Sequence, residues 1–309
     1  MIFIGELAGL STALLWALTS VFFSESGRRI GSLTTNLIRL VMAVLMYACL
    51  SFFTTGYIYP HGVNQWQYFW LGLSGLVGLV IGDGCGFKAL VMIGPRLTTL
   101  VYSSTPIVTT IIAWIFLGEQ LSLIDILGIS ITISGISWVV LERRFKNVNH
   151  FNLSRDHPDS GSLVKGVLLA VGAAIGQATG LVLAKQGMSF AGGAVEPLTA
   201  SYVRMVVALA GLGAVFAARG LLPNIIKSLR DGRALSFCAA GAVVGPFLGV
   251  WMSLVAIKYI AAGLAATLNS TTPVMILPLV FLWYKEKISP RAVLGAIVTV
   301  CGVAIIFLF

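Results

Sequence analysis

Three ionisable side chains, Arg39, Asp83 and Arg204, stand well inside apolar stretches of this chain. Two further runs join hydroxyls to a proline. They are Tyr102-Ser103-Ser104-Thr105-Pro106 and Asn269-Ser270-Thr271-Thr272-Pro273, and each leads through an apolar stretch to a glutamate, Glu119 or Glu286. The chemistry open to these residues is recognition. Hydroxyl and amide groups can bind a polar solute. The competing use of the same hydroxyls is local, to satisfy carbonyls of their own helix or to bridge helices. Proline has no N–H and clashes with the carbonyl four residues back, so Pro106 and Pro273 kink their helices. The carbonyls of Tyr102 and Asn269 are freed, and such polar backbone is tolerated in hydrocarbon only against protein or a wet cavity. A carboxylate and a guanidinium can also exchange partners, and a carboxylate can take up a proton.

An intramembrane enzyme would need Ser/Lys, paired Asp or a His/Glu metal group at matched depths. No such cluster is legible. Cys49, Cys85, Cys238 and Cys301 lack C-x-x-C spacing, and His61, His150 and His157 fall in expected loops. No cofactor or metal is expected. The rival readings are that enzyme and a membrane interaction protein that transports nothing. The latter would have no use for broken polar helices in both halves. A channel would show a ring of charge or a filter-like loop.

The elements that must position these residues are membrane helices. Of the 309 residues, 58% are hydrophobic and 10% charged, against about 25% charged in soluble domains. Ten apolar segments are expected near 5–24, 33–53, 67–88, 97–117, 122–141, 165–186, 197–218, 234–256, 262–283 and 290–309. Each is about 20 residues, enough to span about 30 Å of hydrocarbon at 1.5 Å per residue. The fold class is therefore all-α, integral to the membrane. A polar linker, 142–164, separates residues 1–141 from 165–309, giving two sets of five helices.

The two sets are copies. At a spacing of 167 positions Pro106 meets Pro273, Glu119 meets Glu286, Gly128 meets Gly295 and Gly135 meets Gly302. At 165, Arg39 meets Arg204. Five spans per copy force the copies to enter the membrane in opposite senses, an inverted repeat. Two interrupted polar helices at matching positions in such a repeat mark a transporter's central site. On that reading Tyr102, Ser103, Ser104, Thr105, Asn269, Ser270, Thr271 and Thr272 contact the substrate. Gln177 joins them from the position where the first copy has Trp16, a packing residue.

Asp83 breaks the repeat, for its counterpart is Val250. A charge near the bilayer centre costs roughly 2.5–3.5 kcal/mol and is functional by default. Arg39 lies about 9 Å and Asp83 about 7–8 Å from the same face by helical rise, so the two are expected to pair. Arg204, at a similar depth from the opposite face, is assigned a contact with Glu119. A gate that makes one contact while breaking the other, with Glu286 competing for Arg39 and a proton on Asp83 biasing the exchange, follows as an expectation. Snorkelling arginines and solvated glutamate caps are the plainer readings. Glycines at spacing four in segments three and eight suit close helix packing. Ser122-x-x-Asp125 and Ser289-Pro290 read as helix starts.

Orientation follows from the cations. On the face of the N-terminus, side A, only Lys185 and Lys258 stand in loops or at helix ends. Arg39 and Arg204 are internal, and the other 16 of 20 Lys and Arg lie on side B. The positive-inside rule puts side B in the cytoplasm and both termini outside a plasma (inner) membrane. The net charge of +9 is thereby a topology signal, with no nucleic-acid partner implied.

The paired hydroxyl-proline segments ending in glutamate, the five-plus-five repeat and the helix-opening serines resemble the drug/metabolite transporter superfamily, EamA type. The resemblance covers nearly the whole chain. It implies ten helices around a central cavity and a small-molecule cargo such as an amino-acid-like compound or drug. Many of its members have cytoplasmic termini, whereas the charge bias here points the other way, and the second loop, Thr54 to Trp66, has no Lys or Arg.

Overall fold

The computed structural model describes residues 3–142, 160–189, 193–221, 225, 228–275, 278 and 289–308. Helices α1 (Ile4–Ile30) and α2 (Ser32–Thr55) form the first hairpin. Helix α3 (Gln65–Ser74) opens on a capping box between Asn64 and Gln67. It continues into a π-helical stretch, Gly75–Gly82, and then α4 (Asp83–Tyr102). A ring carbon of Tyr102 lies 3.8 Å from where a Cβ on Gly86 would be. Sixteen residues of straight helix would separate them by about 24 Å. The chain therefore doubles back within α4, between the third and fourth spans.

Helices α5 (Thr105–Leu117) and α6 (Leu123–Glu142) end the first half. The second half brings α7 (Ser160–Ser189), α8 (Pro197–Ala218) and α9 (Gly232–Ala242). A second π-helical stretch, Val243–Gly249, leads to α10 (Val250–Tyr259), then α11 (Ala262–Asn269) and α12 (Pro290–Leu308). Among the described residues, nine helices are long and apolar enough to cross a membrane. The expected segment 262–283 is described through Met275 and again at Pro278. The architecture is all-α and fits a ten-helix membrane protein. Glu286 and the linker residues 143–159 lie outside the described residues.

Both expected helix starts are present. The Ser122 and Asp125 side chains cap each other's backbone N–H at 3.1 and 2.9 Å, and Ser289 Oγ accepts from Ala292 N at 3.2 Å. Several spans run a few residues beyond the apolar segments, as α1 does to Ile30, because polar residues at span ends keep helical backbone in the interface.

Each half contributes its first helix to the other half. Helix α7 lies along α3, the first π-helical stretch and α4, while α1 lies along α9, the second stretch and α10. Backbones come very close: a Cβ on Gly180 would sit 2.8 Å from the Cα of Gly78, and one on Gly176 equally near that of Gly82. The four-residue glycine spacing is what permits this approach. The equivalent contacts on α1 are side-chain contacts, with Gly245 against Thr19 and Gly249 near Trp16.

The last helices of the halves, α6 and α12, pack on each other through matching residues. A Cβ on Gly135 would stand 2.5 Å from Thr299 N, and one on Gly302 would stand 2.5 Å from Thr132 N. Either Gly135→Ala or Gly302→Ala must push two backbones apart. The expected loss is about 1–3 kcal/mol, read as a lower melting temperature in detergent. Unchanged melting in both variants would show that this contact relaxes freely.

Candidate functional site

Three helices bring polar groups together around one carboxylate. Asp83 is the first residue after the π-helical stretch. Its Oδ2 accepts from Arg39 Nη2 at 2.5 Å, and its Oδ1 accepts from Gln177 Nε2 at 2.6 Å. Arg39 comes from α2, where Asn36, one turn earlier on the same face, accepts from its Nε at 2.7 Å. The guanidinium carbon lies 5.5 Å from the Phe23 ring centre and 5.6 Å from that of Phe87, within cation–π range. The side chains of Arg39 and Asp83 are 4% and 13% exposed. Arg39 therefore does not snorkel; it is held by charge, amide and aromatic faces together.

Gln177 belongs to α7 of the second half and also donates to Gly78 O at 3.4 Å. Tyr102 ends α4, and its ring lies against Gly86, three residues past Asp83. The cluster thus ties the two halves across the first π-helical stretch. Such wide turns leave backbone carbonyls exposed inside a helix and recur at functional sites. The equivalent stretch in the second half is served by Tyr47 of α2, whose hydroxyl donates to Phe247 O at 2.7 Å. Sequence gave no hint of Tyr47, because a tyrosine in an apolar run has no periodic signature.

Both hydroxyl-proline runs are breaks between helices. Ser103 and Ser104 separate α4 from α5; Ser270 and Thr271 separate α11 from the helical residues that follow. The hydroxyls turn inward on their own backbone. Thr105 Oγ1 donates to Tyr102 O at 2.6 Å and Thr272 Oγ1 to Asn269 O at 2.8 Å. These two acceptors are the carbonyls that Pro106 and Pro273 free. Ser103, Ser104 and Thr271 likewise donate to the carbonyl three residues back, at 2.6–2.7 Å. A hydroxyl oxygen that donates keeps its lone pairs, so each still has capacity to accept from a solute. Ser103, Thr105 and Thr271 are buried, while Tyr102, Ser104, Gln177, Asn269, Ser270 and Thr272 are half-buried. Asn269 Nδ2 donates to Ser253 Oγ at 3.2 Å, and its Oδ1 is buried with no partner among the described residues.

Glu119 is not beside Arg204. A left-handed Gly118 (φ 67°) ends α5 and directs Glu119 across the side A end of the bundle. There Oε2 accepts from Ala262 N at 2.8 Å, and Oε1 lies 2.5 Å from Lys185 Nζ. Lys185 Nζ also donates to Ile260 O at 2.6 Å. The acid caps the N-terminus of α11, where the helix dipole and free N–H groups favour an anion. Depth counting paired Glu119 with the wrong cation because it ignored this cap. Lys185, which sequence reading had treated only as a topology marker, is the cation that Glu119 engages.

A model of the EamA-like transporter family matches residues 3–141 and 164–308. No curated protein matches the chain. A solved structure described only as a crystal structure of a protein covers 99% of this chain and 97% of its own, with a TM-score of 0.72 at 17% identity. At that identity the likeness is one of fold.

Proposed function

This chain belongs to the EamA-like transporter family, and from that premise we propose that it moves a small polar or amphipathic metabolite across the plasma membrane by alternating access. Residues 1–141 and 165–309 act as the two repeats, joined by the linker 142–164. The observation that carries the reading is the pair of breaks at Ser103-Ser104 and Ser270-Thr271, at the same place in both halves. Unwound backbone inside a membrane is tolerated where it lines a cavity, and at matched positions in two repeats it accommodates cargo.

The cargo site draws on the half-buried Tyr102, Ser104, Gln177, Asn269, Ser270 and Thr272, with Ser103, Thr105 and Thr271 behind them. Pro106 and Pro273 hold the breaks open. Arg39 and Asp83 are the coupling pair on the cytoplasmic side, and Glu119 with Lys185 the closure on the outer side. Arg204, against the first π-helical stretch, is the third member of the gating set. A proton on Asp83 would loosen its hold on Arg39, since a neutral carboxyl binds guanidinium less strongly. The charge bias favours both termini outside.

Single cysteines at Ser104 and Ser270, placed in a background lacking the four native cysteines, test the site. Both are expected to react with a water-soluble thiol reagent at least several-fold faster than a cysteine at the outward-facing Leu45, and transported solute should protect them. Reaction no faster than at Leu45 removes the cavity. For orientation, a reporter active only in the cytoplasm is expected to work when inserted near Arg155 and to fail when fused after Phe309. The opposite pattern inverts the topology.

A further inference from the structure

Arg39 and Arg204 hold the same place in the two halves, yet among the described residues only Arg39 has a counter-ion. Arg39 is neutralised by Asp83 at 2.5 Å. At the position where the second half would carry that acid stands Val250, 4% exposed among Tyr47, Tyr202 and Met205. Arg204 is itself only 4% exposed. Its Nε is buried without a hydrogen-bond partner, and no hydrogen bond or ion pair engages it among the described residues. Asp83, the acid of the neighbouring cluster, is already held by Arg39 and Gln177. Its Nη2 lies 3.5 Å from where a Cβ on Gly78 would be, so the guanidinium rests against the π-helical stretch that leads to Asp83.

Among the described residues, this buried polar region therefore holds two guanidiniums and one carboxylate. A cation left unpaired away from water is strongly unfavourable, and charges inside membrane spans persist where they have a partner or a task. Resting on the transport reading above, we infer that the missing counter-ion travels with the cargo: Arg204 binds an anionic group, a carboxylate or a phosphate, on the transported solute. The planar fork of arginine matches both groups and binds them with paired hydrogen bonds. A bound carboxylate stands in for the acid that Val250 replaces and brings the centre from one net positive charge to zero; a phosphate, with about −1.5 to −2 charge, more than neutralises it. Cargo lacking an anionic group leaves Arg204 uncompensated and is discriminated against, because the site's buried polar atoms then stay unpaired.

Melting of the purified protein in detergent tests this at constant ionic strength, with benzoate and inorganic phosphate as anionic probes and benzamide as the neutral counterpart. At least one anion is expected to raise the wild-type melting temperature at millimolar concentration, with benzamide inert. Arg204→Met is expected to fold, to melt no lower than wild type without anion, and to need at least tenfold more anion for the same shift. Val250→Asp, which supplies the carboxylate internally, is expected to lose the anion response as well. The inference is overturned if neither anion shifts the wild type, if Arg204→Met responds equally, or if Arg204→Met melts well below wild type, which would reveal a structural partner. Flux in proteoliposomes separates this from the transport reading. A wild type that carries benzamide and neither anion overturns the inference and leaves transport standing. Failure to carry any solute offered, by folded protein, removes transport, while an anion-dependent melting shift lost in Arg204→Met still upholds the anion site.

Discussion

Asp83→Leu is expected to abolish flux and to lower stability by about 3–5 kcal/mol, the usual effect of leaving one member of a buried ion pair alone. Arg39 would keep Asn36 and two aromatic faces but no counter-charge. Gln177 would lose its shortest bond. The double variant Arg39→Met/Asp83→Leu is expected to regain most of the stability, since removing both charges also removes the desolvation cost, and to remain inactive. If the double variant is as unstable as the single one, the pair does not act as a unit. Asp83→Asn keeps the shape and loses the charge, so it isolates the proton. Wild-type flux should rise as Asp83 takes up its proton with falling pH, because the neutral acid releases Arg39. Asp83→Asn should be flat over that range. A wild-type pH profile in Asp83→Asn would eliminate coupling at this residue. An Arg39→Asp/Asp83→Arg swap should restore part of the flux lost in either single change.

The second large effect is expected at the side A end. Glu119 holds Lys185 and the first N–H of α11 together, so α5 of one half is fastened to α7 and α11 of the other. Opening to that side requires this contact to part. With Glu119→Cys and Ala262→Cys in a background without native cysteines, a short bis-methanethiosulfonate, which joins the two thiols through reducible disulfides and releases sulfinate, is expected to cut flux more than tenfold, and reductant to restore it. Glu119→Gln should weaken the closure without destroying it, since the amide oxygen still accepts from Ala262 N while the attraction to Lys185 is lost. A cross-linked protein that transports at the uncross-linked rate would show that this contact stays shut throughout the cycle.

Much of this was written in the chain. Apolar runs of about 20 residues permit one outcome in a bilayer, because each must satisfy its own backbone. The repeat was legible as residue identities at constant spacing, and the match of Pro106 with Pro273 foretold two breaks that fall at the same place in both halves. The Arg39–Asp83 contact was legible too. Helical rise fixes depth, and two opposite charges at one depth on neighbouring helices have few other ways to be stable.

What needed the tertiary structure was everything set by rotation about a helix axis and by local backbone choice. Depth does not say which way a side chain points, so Glu119 was assigned to Arg204 although Gly118 directs it to Lys185 and the α11 N-terminus. The hydroxyls at Thr105 and Thr272 were equally suited to solute or to their own carbonyls, and only coordinates show them donating to Tyr102 O and Asn269 O. The first π-helical stretch has no composition that distinguishes it from α-helix, whereas the second carries Pro246, whose missing N–H breaks the regular ladder there. Each depends on helices of the opposite half, whose glycines or polar side chains accept the widened turn. The absence of a counter-ion for Arg204 is likewise a fact of packing. Sequence named Val250 as the missing acid, and the fold decided that no other residue takes its place among those described, because the remaining carboxylates are tied to partners elsewhere or lie at helix ends.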